Sequence, residues 1–254
     1  MSTMQTAERV SRDPSDNFVF QRSILAYHEA AKRISGDVLE IGTGSGYGIE
    51  VIAPHVRRFV TIDKYMFTGG GELPDNVEFC QTTVPPLPYE DESFDCVITF
   101  QVIEHIEEDV RFVKELHRVL RPNGRLILTT PNAPMSLTRN PWHVREYRPE
   151  ELQNLLAMRF KKVSMSGVVG NEAVTAYYER NRERVQRILR WDLLDLQHRL
   201  PRWVLQLPYD LMNRLNRRRL LKEAPEATAA IRMEDYSLAP MTEGAYDLFV
   251  EAQK

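Results

Sequence analysis

The stretch GDVLEIGTGSGYGIEV, residues 36–51, sets a short apolar run ending in an acid against four glycines at alternate positions, Gly42, Gly44, Gly46 and Gly48. The run DVLEI (37–41) reads as a strand, and the glycines as a turn whose bare backbone a ligand can approach closely. A dinucleotide turn needs glycines in the pattern G-x-G-x-x-G. Counted from Gly42 or Gly44, the third glycine should stand at 47 or 49, which are Tyr and Ile. The phosphate-loop pattern fails as well, because no Gly-Lys-Ser/Thr follows. An acid at the strand end, Glu40, is a poor neighbour for a pyrophosphate and a good one for an ammonium group. Asp63 ends a second strand-like run, where a carboxylate can accept the hydroxyls of a ribose.

Outward from this turn, the runs RFVTI (58–62), NVEFC (76–80), FDCVITF (94–100) and GRLILTT (124–130) also read as strands. Several are apolar at consecutive positions, as strands buried on both faces of a parallel sheet require. Helical patterns cover 16–34, 46–55 and 107–120, the last with Ile106, Val110, Val113, Leu116 or His117, and Leu120 on one face. The segments 64–75 and 82–93 hold glycines and prolines and read as loops. A helix over 149–160, a sixth strand in KVSMSGVV and a seventh in AYDLFVEAQK complete an α/β, doubly wound, Rossmann-like seven-stranded sheet. The expected organisation is a tail and helix (1–35), a core (36–170), a helical insertion (171–240) and the last strand (241–254).

The chain has 254 residues and a net charge of −3, so no global attraction to nucleic acid is expected. The basic residues gather locally instead. Residues 200–222 carry six of them against Asp210 alone, with Trp203, Leu207, Leu211, Met212 and Leu215 on an apolar side broken by Pro201 and Pro208. Such an element suits a peripheral contact with an anionic membrane, a lid over the site, or a contact in a homodimer. Two cysteines, Cys80 and Cys96, are too few for a disulfide framework or a cysteine metal site, and no metal is expected. No leader pattern and no run of about 20 apolar residues is seen, so the expected compartment is the cytoplasm, with the membrane periphery open.

The ordered set VLEIGTGSG, VTIDK, LPYEDESFDCVITFQVIEHI and LRPNGRLILTTPN resembles the class I S-adenosylmethionine-dependent methyltransferases, over roughly residues 36–165. It is most similar to the small-molecule branch that includes the ubiquinone O-methyltransferases. TRNPWHVREY also looks like enzymes of surface-glycan pathways. The resemblance implies that S-adenosylmethionine is held by Glu40, Gly42, Thr43, Gly44, Ser45, Gly46, Asp63, Lys64, Thr82, Thr83, Gln101 and Val102. Thr83 stands where many relatives place an Asp for the adenine amino group.

Methyl transfer to a hydroxyl needs alignment and removal of a proton. His105 and His143 are the candidate general bases, since imidazole titrates near neutrality. Glu104 and His105 equally suit fixing a loop through hydrogen bonds. Trp142, Arg145 and Tyr147 crowd the loop after the fifth strand and, with Tyr27 as a lid, are the candidate contacts for a small-molecule acceptor. Trp142 and Tyr147 packed as core, with Arg145 paired to Glu150, is the plain structural alternative. The expected reaction is transfer to oxygen on a small-molecule acceptor, glycan-linked, lipid-linked or another small metabolite. N-methylation and a non-catalytic cofactor-binding partner protein are the alternatives.

Overall fold

The computed structural model describes residue 10 and residues 12–67, 72–192 and 195–254. Eight strands run β1 (Asp37–Ile41), β2 (Arg58–Asp63), β3 (Val77–Gln81), β4 (Phe94–Phe100), β5 (Leu120–Pro131), β6 (Lys162–Gly170), β7 (Tyr236–Pro240) and β8 (Asp247–Gln253). They form one sheet in the order β3-β2-β1-β4-β5-β8-β6-β7. The five strands from β3 to β5 are mutually parallel, and β8 enters antiparallel to both β5 and β6. Strand order reverses between β1 and β4, which opens a crevice beyond their carboxyl ends.

The eighth strand corrects the expected seven. β7 lies inside the stretch assigned to the helical insertion and pairs only with β6, from Ser166↔Pro240 to Gly170↔Tyr236. As an edge strand it buries mainly Tyr236, so it lacks the continuous apolar run that marks the inner strands. Every residue of β1, by contrast, is buried, as a strand covered on both faces must be.

The helices are α1 (Asn17–Ala31), α2 (Ile49–Ile52), α3 (Asp109–Val119), α4 (Pro149–Ala157), α5 (Glu172–Leu189), α6 (Leu196–Arg199), α7 (Arg202–Glu223) and α8 (Pro225–Ala230). Two apolar layers follow from strand alternation. Val38, Ile98 and Ile127 face α1 and α2, joined by Tyr177, Leu220 and Ile231 of the insertion. Leu39, Val97 and Leu126 face Phe112, Val113 and Leu116 of α3 and Leu152 and Leu156 of α4. Phe112, not Val110, carries the inner face of α3, and Val110 is exposed. The expected helix at 46–55 shrinks to α2 and a following 3-10 turn, because the turn occupies the chain up to Gly48.

The insertion folds back on α1. Asn17 donates to the carbonyls of Thr228 and Ile231, and the Tyr236 hydroxyl donates to the Phe18 carbonyl. α7 corrects the expected break at Pro208, which lies inside a continuous helix. Its missing N–H leaves one ladder bond unmade without ending the helix, and Pro201 sits just before the first turn, where no donor is needed. No described helix is long and apolar enough to cross a membrane.

Candidate active site

The carboxyl ends of β1, β2, β4 and β5 open on a cavity of about 340 Å³. Gly42 turns the chain there with φ +98°, and a Cβ on it would stand 2.5 Å from Cγ2 of Val102, the residue two beyond β4. The turn and the end of β4 therefore touch at a point where only glycine fits. Gly48 serves a second close approach, since a Cβ there would meet the Tyr27 ring at 2.0 Å.

Asp63 sits at the cavity wall, where Oδ2 accepts the Gly44 N–H and Oδ1 the Tyr65 N–H, both at 2.9 Å. Thr43, Ser45, Lys64, Thr82, Thr83 and Gln101 share the lining with Gly42, Gly44 and Val102. Gly46 is not in the lining and packs against Phe67. Glu40 is not in it either. It is buried below the floor, where it accepts hydrogen bonds from the Tyr27 hydroxyl at 2.6 Å and from Thr61 at 2.5 Å. Thr61 spends its only proton on Glu40, so Thr43, 2.6 Å away, donates to Thr61. Burial and, to a lesser degree, nearby Asp63 raise the Glu40 carboxyl to about 7 against the lowering effect of these two donors.

Tyr27 lines the cavity as a buried wall instead of an exposed lid. Its ring packs edge-on against Phe100 at 4.8 Å and Tyr47 at 5.4 Å, so its hydroxyl reaches Glu40 from a fixed position.

His105 and Trp142 line the same cavity from the β4 and β5 side. His105 Nδ1 stands 3.0 Å from the Trp142 carbonyl, which can only accept, so Nδ1 carries the proton and Nε2 the basic lone pair. His143 lies outside the cavity lining. Its Nδ1 donates to Glu146 at 2.7 Å and its Nε2 accepts from Asn140 at 2.8 Å, which makes it a brace of its own loop. Arg145 and Tyr147 are also outside the lining, because both bind Oδ2 of Asp109 at the start of α3, at 2.5 and 2.9 Å. Asp109, not Glu150, is the partner of Arg145.

Glu104, His105 and His143 each bring one ligand-type atom within 4.8 Å of the others. Glu104 accepts from Thr130, His105 donates to the Trp142 carbonyl, and His143 holds Asn140 and Glu146, so hydrogen bonds already join the three to their loop.

Two charged lining residues were not visible as site residues in sequence, Arg22 of α1 and Asp247 at the start of β8. Arg22 Nε lies 2.9 Å from Asp247 Oδ2, with both side chains largely buried. Oδ1 of Asp247 is buried without a hydrogen-bond partner in the described structure, and burial raises this carboxyl. An acid directly before the apolar run Leu248–Val250, as Glu40 interrupts DVLEI, was the signal that could have found Asp247.

The lining fits S-adenosylmethionine on three counts. A bare turn admits backbone contact at Gly42 and Gly44, Asp63 offers a carboxylate to ribose hydroxyls, and the orphaned Asp247 oxygen with Arg22 offers opposite charges to polar ligand groups.

This sheet, with its ligand crevice at the reversal of strand order and a glycine turn between two acids, defines an α/β protein built to hold a ribose-bearing ligand. Residues 39–128 match the family described as a methyltransferase domain. Over 242 residues the chain is 32% identical to a "probable S-adenosylmethionine-dependent methyltransferase" of Mycolicibacterium smegmatis, covering 91% of this chain and 86% of that one. A similarly named Mycobacterium tuberculosis protein is 39% identical over 174 residues, 64% of this chain and 63% of the relative, so that match spans less than two thirds of the relative's length. The solved structure of the YcgJ protein from Bacillus subtilis shares the fold, with a TM-score of 0.52 at 17% identity over 93% of this chain and 98% of that one. The chain belongs to the S-adenosylmethionine-dependent methyltransferases.

Proposed function

We propose that the chain transfers a methyl group from S-adenosylmethionine to an oxygen of a small polar acceptor, glycan- or lipid-linked, met at the membrane periphery in the lipid-linked case. The observation that carries this reading is the 3.0 Å approach of His105 Nδ1 to the Trp142 carbonyl. The Nδ1–H is held by that carbonyl, so the basic Nε2 belongs to a residue that lines the same cavity as the glycine turn.

S-adenosylmethionine supplies an electrophilic methyl group on a sulfonium. The chain's own part is to hold and to deprotonate. Gly42, Gly44 and Asp63 would hold the cofactor, with Thr82 and Thr83 on the side of β3. His105 would take the acceptor's hydroxyl proton at Nε2 while Trp142 keeps the ring from turning. Arg22 and Asp247 stand on the β8 side of the cavity and suit polar groups of the acceptor or the amino-acid end of the cofactor.

The test is transfer of labelled methyl from S-adenosylmethionine into polar and organic-solvent fractions of a cell extract, by the native protein and by His105→Gln. A base lowers the barrier by roughly 10²–10⁴ in rate, so the variant should lose at least about a hundredfold. Turnover that survives in His105→Gln would favour an amine acceptor, which needs no dedicated base. Saturable binding of S-adenosylhomocysteine with no labelled product in any fraction would favour a non-catalytic partner role.

A further inference from the structure

Helix α7 carries apolar residues on both of its sides, Leu220 inward and a row of large side chains outward. A surface helix normally turns its apolar stripe inward and its polar side to water. Here the side against the protein buries Leu220 in the core and adds polar contacts. Asp210 accepts from the Trp142 indole at 3.0 Å, Asn216 donates to Asn181 at 2.7 Å, and Arg217 pairs with Asp16 at 2.6 Å. The outward side carries Trp203, Leu207, Leu211 and Leu215 at four-residue spacing, with exposures of 75, 66, 61 and 54%. Residues four apart lie on one face, so these side chains form a continuous apolar stripe in water.

The charges beside the stripe decide what covers it. Arg214, Arg218 and Lys222 fall within the arc of the stripe at 100° per residue, Arg219 lies at its edge, and all four are exposed. A second copy docking through the same face would offer these cations no acid, because its exposed stripe holds only Trp203, Leu207, Leu211 and Leu215 beside the same cations. An anionic lipid surface meets both demands, since it takes Trp and Leu into the headgroup boundary and attracts Lys and Arg.

We propose that the outer face of α7 docks on an anionic membrane surface. The inner face of the same helix, through Asp210, holds Trp142 in the wall of the cavity. Docking would therefore bring the cavity's acceptor side close to the lipid, in a way that does not depend on which atom is methylated.

The experiment is flotation of the full chain with phosphatidylglycerol-rich vesicles and, separately, with phosphatidylcholine vesicles. The expected result is binding to the anionic vesicles alone, weakened about tenfold or more by Leu207→Ser with Leu211→Ser, because each leucine loses its burial. Arg214→Glu with Arg218→Glu and Lys222→Glu should abolish it. These positions are exposed, so the variants should keep the native circular dichroism spectrum. No flotation of the native protein, flotation indifferent to the leucine pair, or concentration-dependent self-association through Leu207 and Leu211 without vesicle binding would each overturn the proposal.

Discussion

The hydroxyl of Tyr27 donates to Oε1 of Glu40 at 2.6 Å, across the join between α1 and β1, and is one of two donors that hold a carboxylate buried below the cavity floor. Removing it in Tyr27→Phe should destabilise the fold by about 1–3 kcal/mol where Glu40 is ionised. The pH dependence has a definite sign. The folded Glu40 carboxyl is raised to about 7 from an ordinary 4.5, so its contribution to stability is fully present below the ordinary value and is lost as pH rises through about 7. Urea denaturation should therefore show the Tyr27→Phe deficit clearly near about pH 8 and only weakly near about pH 5.

Cofactor binding should release protons. A cation placed above Glu40 favours its ionised form and draws the carboxyl below about 7. Titration calorimetry with S-adenosylmethionine near neutral pH should give heats that change with the ionisation enthalpy of the buffer, and Glu40→Gln should remove that change. Buffer-independent heats for the native protein would show that Glu40 does not titrate on binding.

Gly42→Ala should be far more damaging than Gly44→Ala, although both positions have positive φ. At Gly44 nothing lies within 4 Å of a new Cβ, so only the left-handed backbone resists, at about 1–2 kcal/mol. At Gly42 the clash with Val102 adds to that strain. Adding Val102→Ala to Gly42→Ala should recover the clash and leave the backbone part, which thermal denaturation of the three variants can resolve.

Asp247→Asn should destabilise by about 3–5 kcal/mol, because it leaves the largely buried Arg22 guanidinium facing no charge. Replacing both, as Arg22→Met with Asp247→Leu, should return most of that stability. A double-mutant cycle on denaturation midpoints gives the coupling, and a value near zero would mean that the two charges do not sense each other.

Much of this was legible along the chain because it is local. Consecutive apolar residues in 37–41 and 94–100 required burial on both faces, and those runs are β1 and β4 at the reversal of strand order. The lining positions 42–45, 63–64, 82–83 and 101–102 follow from strand ends, which a sequence marks well. The loop 138–147 was harder to read. It is rich in aromatic and basic residues, yet only Trp142 of its candidates lines the cavity, since His143, Arg145 and Tyr147 found nearer partners in Glu146 and Asp109. β7 escaped notice because an edge strand with one neighbour needs only one inward aromatic.

The sequence by itself determined the α/β order, the glycine turn and its two acids, because strand burial and backbone freedom are properties of neighbouring residues. Only the tertiary structure decided that Glu40 lies under the floor with Tyr27, that Arg22 and Asp247 meet 225 positions apart in the cavity wall, and that α7 faces outward with its leucines. Those outcomes rest on which groups far apart in the chain come to share a buried space. Hydrogen-bond satisfaction and desolvation choose among them once the sheet has closed.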